Sequence, residues 1–378
     1  MPHTLPTYER DQHPPIQERL AAIKLLSPKE CDAQLTALGY RGQPHARRAA
    51  SVMAYRHVRR LRRLFLENVP LATLGPRENY LFVGPTGCGK THLVELMFKN
   101  ILRVPTVTVD ITQYSETGYI GEDVTTILAR LYEAAEHDLL WAACGVVCVD
   151  EFDKLASSRS NARFAGKGTT KDVSGYGVQR GLLTLLSGNE VMFPADFGYS
   201  HMGSKVTMPL FGISFIACGA FSGLKSTADL LSTDARIGFG RTGRKPDLEA
   251  IAVQLDDRIL EQTAAFASYG FLPELIGRFS RVVAFEPLGA DTLKQILEDN
   301  VLKHYTEEFA AEHLTLQVAP EVIDQIVKGA QTRELGARGL RAALVPFLEE
   351  AAYACFGTPE PHAVELVLKD GHITVVHA

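Results

Sequence analysis

The sequence from residue 84 to residue 91 reads Gly84-Pro85-Thr86-Gly87-Cys88-Gly89-Lys90-Thr91. The apolar run Tyr80 to Val83 precedes it, and a helical pattern begins near Lys90. Glycines let the backbone turn tightly enough for several N–H groups to point inward, and the start of the helix adds its positive dipole end. This strand, loop and helix predict a cradle for phosphate groups, in which Lys90 reaches the outer phosphates and Thr91 binds Mg²⁺.

A second motif lies downstream, where the apolar run Val146 to Val149 ends in Asp150 and Glu151. Two carboxylates at the end of a buried strand, after a phosphate-binding loop, have a specific chemical interpretation. We expect Asp150 to hold Mg²⁺ indirectly, for example through water, and Glu151 to orient and polarise the attacking water. The alternative is a salt-bridged strand end with no catalytic role.

The order of apolar runs and helical patterns predicts an α/β fold with a five-stranded parallel sheet and flanking helices. The runs lack a clear alternation of apolar and polar residues, as in sheets that helices cover on both faces. After residues 286–289 helices dominate, so we predict a boundary there and a terminal strand pair near 363–368 and 372–376. The predicted domains are a tail with short helices at 1–38, a large α/β domain at 39–285 and a small, mostly helical domain at 286–378. The five strands are predicted at 80–83, 104–109, 146–149, 211–218 and 282–285.

Composition restricts the classes of function. The 378 residues include 46% apolar residues and carry a net charge of −5, which is ordinary for a folded protein. The six cysteines form no CxxC pair, so we expect neither a disulfide scaffold nor a zinc site, and a cytoplasmic location. We find no export signal and no apolar run long enough to span a bilayer, and we expect no membrane partner.

One strongly basic run, Arg56-His57-Val58-Arg59-Arg60-Leu61-Arg62-Arg63, lies on a helical pattern before the phosphate-binding loop. It is either a solvated or inter-subunit helix face or a contact for nucleic acid. We favour the first interpretation, so nucleic acid is not an expected partner.

Eight segments, in order along the chain, resemble the AAA+ module of ClpX, the family of hexameric unfoldases that feed the ClpP peptidase. The resemblance covers about residues 25 to 378. The matching segments are the nucleotide-embracing turn and helix at 39–63, Walker A at 84–91, the first pore loop at 118–123, Walker B at 146–154, the second pore loop at 170–175, the peptidase-docking loop at 237–239, the arginine finger at 277–278 and the sensor-2 helix at 336–341.

The resemblance implies an ATPase that binds ATP and Mg²⁺ and assembles as a homohexamer. Lys90, Glu151 and Arg278 would be the catalytic residues, and Arg278 would reach the site of a neighbouring subunit. Thr91 and Asp150 would hold Mg²⁺. The nucleotide-binding residues would be Gly84, Pro85, Thr86, Gly87, Cys88, Gly89, Lys90, Thr91 and Arg338.

The resemblance also implies that the ring moves a polypeptide. The pore residues that contact unfolded substrate would be Tyr119, Ile120 and Lys171. The residues that dock on a ClpP-type peptidase would be Ile237, Gly238 and Phe239. The family's zinc-binding N-terminal domain has paired cysteines that this sequence does not show, so no zinc is expected.

The function implied by the resemblance is ATP-dependent unfolding and translocation of proteins into a peptidase. One alternative is a remodelling chaperone that works without a peptidase. Another, from a different class, is a DNA-associated AAA+ motor that uses the basic run at 56–63.

Overall fold

The computed structural model describes residues 14–114, 123–156, 175–194, 205–224, 263–333, 335–358 and 363–377. The predicted pore and docking residues Tyr119, Ile120, Lys171, Ile237, Gly238 and Phe239 lie outside these ranges. The chain divides into two compact units. Unit 1 comprises residues 1–34, 45–84 and 90–285, and unit 2 comprises residues 35–44, 85–89 and 286–378. The three domains predicted from the sequence stay a prediction.

A five-stranded parallel sheet forms the centre of unit 1, as predicted. Its strands are β1 (Tyr80–Val83), β2 (Thr106–Asp110), β3 (Val146–Asp150), β6 (Ser214–Gly219) and β7 (Arg281–Ala284). The order across the sheet is β2-β3-β6-β1-β7, and every neighbouring pair is parallel. The strand that leads into the phosphate-binding loop therefore lies between β6 and β7.

Helices connect these strands and cover the sheet, as parallel pairing requires. The described helices up to β7 are α1 (Ile16–Ala22), α2 (Pro28–Ala37), α3 (Pro44–Phe65), α4 (Lys90–Val94), α5 (Thr126–Ala134), α6 (Leu139–Ala142), α7 (Tyr176–Ser187), α8 (Thr263–Tyr269) and α9 (Pro273–Ile276). Helix α4 continues as a π-helical segment, Glu95–Ile101. A hairpin of β4 (Glu190–Pro194) and β5 (Lys205–Pro209) completes the described strands of this unit.

Unit 2 is mostly helical, as predicted. Its helices are α10 (Ala290–Ile296), which continues as the π-helical segment Leu297–Leu302, α11 (Lys303–Ala311), α12 (Pro320–Thr332) and α13 (Gly336–Cys355). They pack on a sheet of β8 (Thr315–Val318), β9 (Ala363–Lys369) and β10 (His372–His377) in the order β10-β9-β8. The predicted terminal pair corresponds to β9 and β10. Strand β8 was missed because four residues within a helical region give too short a pattern.

Among the described helices, none is long and apolar enough to cross a bilayer.

A buried histidine joins α3 to the sheet of unit 1. The His57 Nε2 lies 3.0 Å from the Cys144 carbonyl oxygen, which can only accept, so Nε2 carries the proton. Its Nδ1 lies 3.0 Å from the Ser214 hydroxyl and accepts from it. Burial lowers the pKa of His57 from 6.5 to about 4, and nearby Arg60 acts in the same direction, against the opposing effect of the Cys144 hydrogen bond. His57 is therefore neutral in the fold at neutral pH.

This lowered pKa predicts acid sensitivity of unit 1. The unfolded histidine binds a proton near pH 6.5 and the folded one near pH 4, so the stabilisation is complete above pH 6.5 and falls as the pH drops toward 4. Between pH 7 and pH 5 the free energy of unfolding should fall by about 2 kcal/mol more in the wild type than in His57→Gln. Urea titrations that follow the single tryptophan, Trp141 on α6, would measure it. Parallel pH profiles for the two proteins would contradict the assignment.

Candidate nucleotide site

The phosphate-binding loop begins at the carboxyl edge of the sheet, where β1 ends. The Gly84 N–H donates to the Gly219 carbonyl, at 3.2 Å, and the Phe285 N–H donates to the Val83 carbonyl, at 2.7 Å. A Cβ atom on Gly84 would lie 2.5 Å from the Phe285 carbonyl oxygen. Only glycine fits at this close approach of the strands that flank the start of the loop.

Lys90 and Thr91 open helix α4 on the other side of the loop. Lys90 is 8% exposed, and its ammonium donates to the Gly84 carbonyl, at 2.6 Å. The Thr91 hydroxyl donates to Asp150 Oδ2, at 2.8 Å. Asp150 ends β3, and parallel strands end at the same edge of the sheet, so the two predicted Mg²⁺ residues meet there. The structure thus brings Lys90, Thr91 and Asp150 together.

Glu151 follows Asp150 in a left-handed conformation, with φ 54° and ψ 30°. Its N–H donates to Asp150 Oδ1, at 2.9 Å, so both oxygens of Asp150 are held in place. A left-handed conformation at a residue other than glycine costs about 1–3 kcal/mol, and such residues cluster at active sites. Glu151 is half-buried and directly follows the end of β3.

Hydroxyl and carboxylate oxygens are the ligands that Mg²⁺ prefers, and this metal usually keeps several waters and binds substrate phosphates. Thr91 and Asp150 therefore fit a Mg²⁺ ion that arrives with a nucleotide. Within the described ranges, no group of three or more His, Cys, Asp or Glu side chains is arranged to hold a metal ion by itself.

The middle of the loop, Pro85 to Gly89, belongs to unit 2, where it packs against the start of α13. Gly87 has φ +74°, and a Cβ atom there would lie 2.3 Å from the Leu335 carbonyl oxygen. The Ala337 N–H donates to the Gly87 carbonyl, at 3.1 Å. Backbone therefore meets backbone at this point. Arg338, the predicted sensor-2 arginine, is the next residue of α13 and is exposed.

Two residues that the sequence analysis did not single out also contact the loop within unit 2. The Tyr40 hydroxyl donates to the Gly89 carbonyl, at 3.2 Å. The Gln43 amide donates to the carbonyls of Cys88, at 3.4 Å, and Glu286, at 2.6 Å, and accepts from the Glu286 N–H, at 3.0 Å. The polar and aromatic residues within the turn at 39–43 were the available signal. Such residues predict that the turn contacts another segment, but they do not predict which atoms of the phosphate-binding loop are involved.

Arg278 follows helix α9, and its side chain is exposed. No carboxylate among the described residues lies within ion-pair distance of its guanidinium.

Comparisons with known proteins agree with this arrangement. The family model described as "AAA domain (Cdc48 subfamily)" matches residues 76–282, which include β1 and the first half of β7. The model described as "C-terminal, D2-small domain, of ClpB protein" matches residues 288–351. Two relatives, from two strains of Porphyromonas gingivalis, are named ATP-dependent Clp protease ATP-binding subunit ClpX. Each is 34% identical over 342 residues, which cover 88% of this chain and 79% of the relative.

Proposed function

Because this chain belongs to the ClpX family of AAA+ ATPases, we propose that it uses ATP hydrolysis to unfold proteins and thread them through the pore of a homohexamer. ATPase activity is a property of the family. The structure supports the hydrolysis step of this proposal, because Lys90, Thr91, Asp150 and Glu151 meet at one edge of the sheet.

The residues of this edge have separate tasks in the proposed reaction. When bound, ATP would supply the phosphoryl group, and Mg²⁺ would neutralise much of the negative charge of the phosphates. Lys90 holds the outer phosphates, while Thr91 and Asp150 hold the metal and its water. The Glu151 carboxylate accepts a hydrogen bond from the attacking water and orients it. Arg338 contributes from the first turn of α13 to nucleotide binding.

Translocation is assigned to the pore loops on the family resemblance. Tyr119 has an aromatic ring and a hydroxyl and stands between glycines, so it can contact many polypeptide sequences through apolar burial and one hydrogen bond. Ile120 and Lys171 would add apolar and charged contacts to the same path. Such contacts suit a motor that must grip chain without a sequence preference.

A ClpP-type peptidase is the proposed partner of the ring. The printed name of the relatives describes an ATP-binding subunit of a Clp protease. The segment Ile237-Gly238-Phe239 resembles the family's docking loop, and an apolar side chain there would insert into an apolar pocket. We also propose a cytoplasmic location, on the same resemblance.

The basic run on α3 was the sequence feature behind the DNA alternative. Four of its five arginines have partners in their own unit. Arg56 pairs with Glu78, Arg59 pairs with Glu67, Arg60 donates to the carbonyls of Phe211 and Gly75, and Arg62 donates to the carbonyl of Ile23. Guanidinium groups in such contacts are less available to phosphates, which favours the structural interpretation of this helix face.

The test is a degradation assay with a fluorescent reporter that carries an unstructured tail, ATP and a ClpP-type peptidase. The wild type should remove the reporter's fluorescence and produce peptides, and Glu151→Gln should do neither. Phe239→Ala should remove fluorescence but produce no peptides. The same reporter without its tail is the control. No ATP-dependent loss of fluorescence would contradict the proposal, and peptide production unaffected by Phe239→Ala would contradict the docking assignment.

A further inference from the structure

We propose that Asn79 is a positioning residue for the finger, because its side-chain amide fixes the backbone of Arg278 to the central sheet. This inference rests on the proposed action of Arg278 at a neighbouring subunit's site.

Asn79 lies one residue before β1 and is 3% exposed. Its Nδ2 donates to the Arg278 carbonyl, at 3.1 Å, and its Oδ1 accepts from the Phe215 N–H, at 3.0 Å. Both ends of the amide are therefore used, as buried polar groups require. One side chain joins the start of β6 to the segment that enters β7.

The backbone of Asn79 strengthens the same junction. Its carbonyl accepts from the Ser280 N–H, at 2.8 Å, and from the Ser280 hydroxyl, at 3.0 Å. These bonds extend the β1–β7 pairing, in which Tyr80 lies opposite Arg281. The backbone bond fixes the start of β7, whereas the side-chain bond reaches two residues further back, to Arg278.

Arg278 is thus held on both sides of its Cα atom. Its N–H donates to the Leu275 carbonyl, at 3.0 Å, and its carbonyl accepts from Asn79. The next ring, Phe279, is buried and packs edge-on against Phe152, with centroids 5.5 Å apart. Phe152 directly follows Glu151. The base of the arginine is fixed while its guanidinium remains exposed.

This arrangement is what a group that acts across a subunit boundary needs. An arginine finger is worth about 10³–10⁵ in kcat when it is correctly placed. A displacement of about 1 Å can cost about 10²-fold in rate. Without the Asn79 amide, the peptide plane after Arg278 loses its hydrogen bond and can rotate, so the finger samples positions from which it does not reach the neighbouring phosphate.

Asn79→Asp is the main variant, because it has the same size and still offers an oxygen to the Phe215 N–H but has no N–H for Arg278. Asn79→Ala is the second variant. Ser280→Ala is the matched control, because it removes a hydrogen bond to the carbonyl of the same residue and leaves Arg278 untouched. We expect both Asn79 variants to lower kcat for ATP hydrolysis about 10–100-fold, with little change in the KM for ATP. Ser280→Ala should stay within about twofold of the wild type.

Mixed rings separate a displaced finger from a damaged fold. Glu151→Gln subunits keep the finger but lack the hydrolytic carboxylate, and Asn79→Asp subunits have the opposite defect. In a ring assembled at random from equal amounts, about a quarter of the sites combine an intact Glu151 with an intact neighbouring finger. The mixture should therefore hydrolyse ATP at about a quarter of the wild-type rate, which is at least about twofold above either parent. Arg278→Ala mixed with Glu151→Gln is the reference.

Normal kcat in Asn79→Asp and Asn79→Ala would overturn the inference, and so would loss of the hexamer or of ATP binding in both, because Asn79 would then serve folding. The inference would also be overturned if the mixture of Asn79→Asp with Glu151→Gln regained no ATPase activity while the mixture of Arg278→Ala with Glu151→Gln did. If Arg278→Ala itself keeps normal activity, the proposed role of the finger fails instead.

Discussion

Replacing Glu151 with glutamine is expected to lower kcat for ATP hydrolysis by about 10²–10⁴-fold, because the amide cannot accept a proton from the attacking water. ATP binding should persist. Lys90 and Thr91 are untouched, and the Glu151 N–H would still donate to Asp150. Single-turnover hydrolysis and equilibrium titration with a fluorescent ATP analogue measure the two effects separately.

The neighbouring strand offers a matched control. Asp110 ends β2 directly opposite Asp150, and its carboxylate accepts from the Thr112 N–H and hydroxyl in a local turn. Asp110→Asn should change kcat by no more than about twofold, since it removes a charge from the same sheet edge outside the proposed site. Equal losses in the two variants would mean that Glu151 acts only through the general charge of this edge.

Arg278→Ala is expected to lower kcat by about 10³-fold or more, because the guanidinium would no longer stabilise charge on the transferring phosphoryl group of the next subunit. The effect should appear only in the assembled ring. Steady-state ATPase assays above and below the concentration at which hexamers form, as followed by analytical ultracentrifugation, measure this dependence.

Arg281→Ala is the control for that variant. Arg281 is also exposed and lies three residues further along, at the start of β7. Its removal should leave kcat within about twofold of the wild type. A small effect of Arg278→Ala, or an equal effect of Arg281→Ala, would contradict the assignment of the finger.

The parts of the site that the sequence could predict are those that depend on local pattern. The loop at 84–91 has a strand before it and a helix after it, and Asp150 ends an apolar run. Parallel strands must present such residues at one edge, so the contact between Thr91 and Asp150 follows from the fold class. Local pattern also predicted the five strands.

The parts that the sequence could not predict depend on contacts between distant segments. Asn79 is one polar residue before a strand, and nothing near it in sequence indicates that its amide meets Arg278, 199 positions away. Arg77 likewise donates to the carbonyls of Leu186 and Gly188 at the end of α7, which no local pattern indicates. Residues of this kind connect segments that are distant in the sequence and carry no motif of their own.

The segments next to Glu151 and Arg278 pack in one cluster of unit 1, which no pattern in the sequence indicates. The Phe152 ring stacks on Phe271, with centroids 5.1 Å apart, and contacts Phe279 edge-on. Gln179 is fully buried, and its amide binds the Leu155 carbonyl, at 2.8 Å, and the Leu272 N–H, at 2.8 Å. The segment after Glu151 and the segment before Arg278 are therefore parts of one packed structure.

Coupling of ATP hydrolysis to movement of a polypeptide is tested by comparing Tyr119→Ala with the wild type in two assays, ATP hydrolysis and ATP-dependent unfolding of the tailed fluorescent reporter. We expect Tyr119→Ala to keep its ATPase rate within about twofold and to lose most of its unfolding activity, because the nucleotide site is intact while the contact with the polypeptide is weakened. Unfolding at the wild-type rate by Tyr119→Ala would contradict the claim that ATP hydrolysis at Lys90, Thr91, Asp150 and Glu151 moves a polypeptide through the pore.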